Sequence, residues 1–147
     1  MDFELIEKAL PILLLGAGVT IEITAVSVFI GFCIGLFVGI ARICKVKVLR
    51  ILAAIYADCI RGTPLLVQIF LIYFALPIVT GHRVEPFVAA VAACGINSGA
   101  YVSEIFRAGI QAIDVGQMEA GRSLGLSWWQ TMYDIILPQA VRNILPP

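Results

Sequence analysis

The chain has 147 residues, 61 % apolar and 14 % charged, with a formal net charge of zero and a mean hydropathy of +0.99. A soluble domain carries about half apolar and a quarter charged residues, so lipid must be the solvent on some faces of this one. Balanced charge leaves no footprint for nucleic acid, and a single histidine with four cysteines in no C-x-x-C pair gives no metal centre or disulfide framework.

A signal peptide needs a basic start and a cleavage site. Here Asp2, Glu4 and Glu7 face a single Lys8, and the apolar stretch runs past Ile40, which predicts a retained helix. The first span is residues 19–41, charged only at Glu22, and is long enough for the roughly 20 residues that a crossing needs. Gly31, Gly35 and Gly39 line one face of it, where another helix backbone can approach closely. The second span is residues 58–79, starting near the surface at Asp58 and Arg61 and kinked at Pro64. The third is residues 87–106, apolar to Ile96 and then polar through Asn97, Ser98, Tyr101, Ser103 and Glu104.

Basic residues mark the cytoplasmic side of a membrane protein. Arg42, Lys45, Lys47, Arg50 and Arg61 surround the first connection, Arg107, Arg122 and Arg142 follow the third span, and the second connection has only His82 and Arg83. The amino end is therefore expected outside and the segment after Arg107 in the cytoplasm. Polar groups near the midplane usually face a cavity or another helix. Gln68, Tyr73, Asn97, Ser98 and Tyr101 are such a set, able to meet the carboxylate and ammonium of an amino acid or to brace spans two and three. Glu104 and Arg107, three apart, are expected to pair with each other.

In the cytoplasmic segment 109–138, Asp114 with Gln117 reads as a capping box opening a helix near Val115, and Gly125 as its left-handed stop. Ser127 with Gln130 opens a second helix, which Pro138 is expected to end. Trp128 and Trp129 suit the membrane interface. Met118, Leu124 and Leu126 belong to no span; they pack on their own spans or enter a groove on a partner.

Glu119-Ala120-Gly121, three residues, Gly125, nine residues, then Ile135-x-Leu137-Pro138 resembles the E-A-A…G…I-x-L-P signature of binding-protein-dependent ABC import permeases, with Gly121 in place of the second alanine. Arg61-Gly62-Thr63-Pro64-Leu65-Leu66-Val67-Gln68 and Asn97-Ser98-Gly99-Ala100-Tyr101, leading into Glu104-Ile105-Phe106-Arg107, resemble the branch serving histidine, glutamine, glutamate and arginine.

The resemblance implies an all-α integral membrane protein of the type I ABC importer transmembrane fold, in a bacterial inner membrane. Its coupling helix would dock into an ATPase subunit, with Glu119 as polar anchor, Ala120 and Gly121 permitting close approach, Gly125 as the corner, and Leu137 and Pro138 closing the signature. The implied partners are an ATPase dimer that carries ATP and Mg, a second permease subunit, an extracytoplasmic solute-binding protein and a polar amino acid. The chain itself would hold no cofactor and do no catalysis. The family branch has five spans and this sequence has three, so a truncated form is expected. Another small polar solute, or a scaffold without transport, are the alternatives; no nucleophile–His–acid set or G-x-x-x-x-G-K loop supports a membrane enzyme.

Overall fold

The computed structural model describes residues 3–145, with side chains from Glu7 onward; Asp2, the Glu4 side chain, Pro146 and Pro147 lie outside what is described. Helix α1 is Phe3–Ile43, one unbroken run of 41 residues, so the helix begins well before the span expected from Val19. At about 1.5 Å per residue it is roughly 60 Å long. From Glu7 to Val26 it is exposed at every position but Ala9 and Ile23, with Leu10, Ile12, Leu13 and Leu15 more than half open.

The half after Ser27 packs on α4, Pro86–Gln111. A methyl group on Gly31 would sit 2.5 Å from Ser98, and one on Gly35 2.5 Å from Val102; Gly39 meets Phe106 at 3.1 Å. The contact is two-sided, because Gly95 and Gly99 of α4 receive Ile30 and Ile34 of α1. The glycine stripe is thus a packing face, and Ser27 Oγ adds a hydrogen bond of 3.4 Å to the Val91 carbonyl.

Helix α2, Lys47–Arg61, buries Ala53 and Ala57, and its Tyr56 hydroxyl donates to the Ile96 carbonyl at 2.7 Å. Helix α3 runs over Leu65–Thr80 at 102° to α2. The kink expected within the second crossing is therefore a near right angle, and Asp58 and Arg61 belong to a helix running across α3 rather than along it. Pro64 has no N–H and disfavours helical backbone at Thr63, which ends α2. The freed carbonyls find side-chain donors: Thr63 Oγ1 donates to the Cys59 carbonyl at 3.1 Å, and Gln68 Nε2 to the Ile60 carbonyl at 2.8 Å. Helices α1 and α4 are each long and apolar enough to cross a membrane, and the bent α2–α3 pair makes a third crossing if counted as one.

After α4 come α5, Val115–Ser123, and a composite α6 built of Trp128–Thr131, a π-helical turn Met132–Ile136, and Leu137–Ile144. Pro138 does not end this helix, contrary to the expectation above. The wide π turn before it moves the carbonyl that the proline ring would strike, so the helix continues to Ile144. The same device recurs in α3, where the π turn Leu71–Ala75 precedes Pro77.

Candidate functional site

Two regions bear the polar and signature residues. The first is the corner between α5 and α6. Asp114 Oδ1 accepts from the Gly116 N–H at 2.7 Å and caps α5. The reciprocal half of the expected capping box is replaced: the Gln117 amide oxygen accepts from Gln139 Nε2 at 3.5 Å, tying α5 to α6.

Helix α5 closes in a left-handed glycine, Gly125, with φ of 85°. The Leu126 N–H reaches back to the Gly121 carbonyl at 3.2 Å, and the Gly125 N–H to the Arg122 carbonyl at 3.1 Å. This pair of crossed bonds is the Schellman arrangement. The Ser127 hydroxyl accepts from the Gln130 N–H at 3.2 Å, while the Gln130 side chain accepts from the Ser127 N–H at 2.8 Å, so α6 opens on a complete capping box.

These restraints fix which signature residues face outward. Gly121 is buried, and a methyl group there would lie 2.5 Å from Thr131 Cγ2, so its smallness serves the α5–α6 contact inside the chain. Glu119 and Ala120 are exposed, and Leu124 is 81 % exposed beside them. Met118 and Leu126, by contrast, are half-buried against their own chain. Leu137 lines an apolar groove against α1 and α4, and Pro138 is exposed.

The second region is the polar stretch of α3 and α4. Gln68 is buried, donates to the Ile60 carbonyl and to Thr63, and accepts from Asn97 Nδ2 at 3.3 Å. The Gln68–Asn97 pair therefore joins the α2–α3 bend to α4. Tyr101, half exposed, carries the Arg61 guanidinium 5.7 Å from its ring centre. Asn97, Tyr101 and Glu104 share one face of α4 by their spacing. Ser98 turns instead to Gly31 of α1, and Tyr73 packs edge-on against Phe74 beside an open hollow with Pro77, Arg83 and Val84.

Glu104 pairs with Arg107, as expected, and also with two arginines the sequence reading left apart from it. Arg42, from the end of α1, meets one carboxylate oxygen, and Arg61, from the end of α2, meets the same oxygen at 2.9 Å. One acid thus ties together three helix ends. The only signal for this in the sequence is that Glu104 is the lone carboxylate of α4 while arginines close α1 and α2.

The chain matches the model of a protein family over residues 9–147, and that family is described as the binding-protein-dependent transport system inner membrane component. It is 42 % identical over 146 residues to the arginine transport system permease protein ArtQ of Bacillus subtilis (strain 168), covering 99 % of this chain and 67 % of that one. It is 44 % identical over 147 residues to the glutamine transport system permease protein GlnP of Escherichia coli (strain K12), covering 99 % and 67 %. The crystal structure of an amino acid ABC transporter with histidines superposes with a TM-score of 0.90 at 44 % identity, covering 99 % of this chain and 68 % of that one. The chain spans 60 to 67 % of the length of the curated relatives it matches.

Proposed function

The chain belongs to the family of binding-protein-dependent transport system inner membrane components, and on that premise we propose that it is the permease subunit of an ATP-binding-cassette importer for a polar amino acid. The observation that carries the reading is the α5 corner: the helix bearing the signature is aimed by a glycine turn, with Glu119, Ala120 and Leu124 presented to the outside. Leu124, 81 % exposed beside Glu119 and Ala120, leaves an apolar side chain of this corner available to a partner.

In this reading the segment 109–138 is cytoplasmic and docks into a cleft of a separate ATPase dimer, which binds and hydrolyses ATP with Mg. Gly121 and Gly125 set the angle of the docked helix, and Leu137 and Pro138 carry its motion into α6 and onto the spans. The motion is alternating access, one rigid unit rocking against another around the solute. A second permease subunit completes the path, and an extracytoplasmic binding protein delivers the solute.

Asn97 and Tyr101, with Gln68 holding the Asn97 amide, are the part of the polar stretch best placed to meet a solute; Tyr73 and Ser98 lie at its margins. The relatives' names span a cationic and a neutral amino acid, which supports the class. The test is uptake of labelled arginine and glutamine into vesicles holding the full complex. Uptake of one of them that requires both ATP and the binding protein is expected. Failure of every polar amino acid, with another solute carried instead, would overturn the substrate class.

A further inference from the structure

Beside the end of α1 lies a groove of about 330 Å³, walled by Leu36, Ile40 and Ile43 of α1, Phe106 of α4, and Trp129 and Leu137 of α6. Tyr133 also lines it, and apart from its hydroxyl and the Trp129 indole N–H the lining side chains are apolar, which favours an apolar occupant. Around Ile43 the chain is cationic: Arg42, Lys45, Lys47 and Arg50 occur between positions 42 and 50 with no acid among them.

Arg42 is already engaged by Glu104, but Lys45 is exposed and stands 5.9 Å from the ring centre of Trp128. Trp128 in turn meets Trp129, a wall of the groove, edge to face at 4.7 Å. An apolar slot thus opens next to a tryptophan pair and a free ammonium, at the point where α1 ends. Asp134, next to the wall residue Tyr133, is the nearest acid in sequence and is outnumbered by Lys45, Lys47 and Arg50.

We propose that this groove holds an acyl chain of an anionic phospholipid whose phosphate sits on Lys45. Charge complementarity favours lipid over a protein segment: a membrane lipid joins an apolar tail, which suits the groove, to an anionic head, which suits Lys45 beside the tryptophan pair. Basic pockets at the membrane surface take anionic headgroups in this way, and tryptophan settles at the same depth.

The chain carries its own reporters, since Trp128 and Trp129 are its only tryptophans. It would be reconstituted in vesicles containing either phosphatidylglycerol or phosphatidylcholine with brominated acyl chains, at equal mole fraction, and tryptophan quenching measured. The anionic lipid is expected to quench with about fivefold higher relative affinity, the factor one basic residue near the surface supplies. Lys45→Gln should bring that ratio close to one, and Ile40→Phe, which fills the groove, should lower quenching by the anionic lipid. Equal affinity for both lipids would reduce the groove to ordinary bilayer contact. Absence of quenching by either would mean that protein, such as a second copy of the chain, covers it. An anionic preference that survives Ile40→Phe would place the lipid elsewhere; each of these three results overturns the proposal.

Discussion

Gly125 is the residue on which the proposed docking geometry turns. With φ of 85° it occupies backbone space that costs a side-chain-bearing residue about 1–2 kcal/mol. Gly125→Val should therefore misdirect α5 while leaving insertion into the membrane intact, and transport and ATPase binding should both fall; normal transport would remove the corner from the coupling pathway. Glu104 is a second residue of this kind, because Arg42 has only 9 % of its side chain exposed and depends on that carboxylate. Glu104→Gln should lower stability by about 1–3 kcal/mol, and the further change Arg42→Gln should recover part of the loss. A double-mutant cycle with no coupling between the two positions would contradict the pairing. Asn97 separates the two readings of the polar stretch. If it only braces α4 against Gln68, Asn97→Ala costs about 0.6 kcal/mol and lowers transport equally for all solutes. On the proposed reading it weakens apparent affinity, and by different factors for a cationic and a neutral amino acid, as a competition panel would measure.

At the scale of elements, the α1–α4 contact explains why small residues recur on both helices. Gly35 has Val102 at 2.5 Å from the place of a methyl group, whereas Gly18 on the same helix has nothing within 4 Å. Gly35→Leu should destabilise the pair by about 1–3 kcal/mol through overpacking, while Gly18→Leu should stay within about 0.5 kcal/mol of the parent. Equal effects in a thermal-stability assay would refute the register. The stripe was legible in the sequence because it follows helical spacing on a single element, and so were the Gly125 turn and the Ser127–Gln130 box, whose partners lie within a few residues. Three features were not legible. The bend at Pro64 was foreseen but its size was not: the bonds around it, from Gln68 to the Ile60 carbonyl and from Asn97 to Gln68, join residues of three helices that no local pattern brings together. Passage of α6 through Pro138 depends on a π turn that no residue type announces. Gly121, read as a contact for a partner, is filled from within by Thr131, because α6 folds back against α5.

For the whole molecule, the fold is that of a type I ABC importer transmembrane subunit: α1 laid along α4, a bent α2–α3 pair, and a helical corner beyond the last crossing. The proposed orientation, with the segment after Arg107 in the cytoplasm, rests on the basic residues around Arg42–Arg50 and after Arg107. A membrane-impermeant thiol reagent applied to intact cells should label a cysteine at Gly81 and spare Cys44; the reverse would put α5 on the side away from any ATPase. The central claim is that α5 is the contact through which a separate ATPase drives this chain. A photo-crosslinking residue at Leu124, the most exposed apolar position of the corner, tests it in native membranes. The account predicts a covalent adduct with an ATP-binding-cassette ATPase, whose yield changes with nucleotide and drops sharply in Gly125→Val. Adducts formed only with lipid or with the chain itself, unaffected by nucleotide, would contradict it.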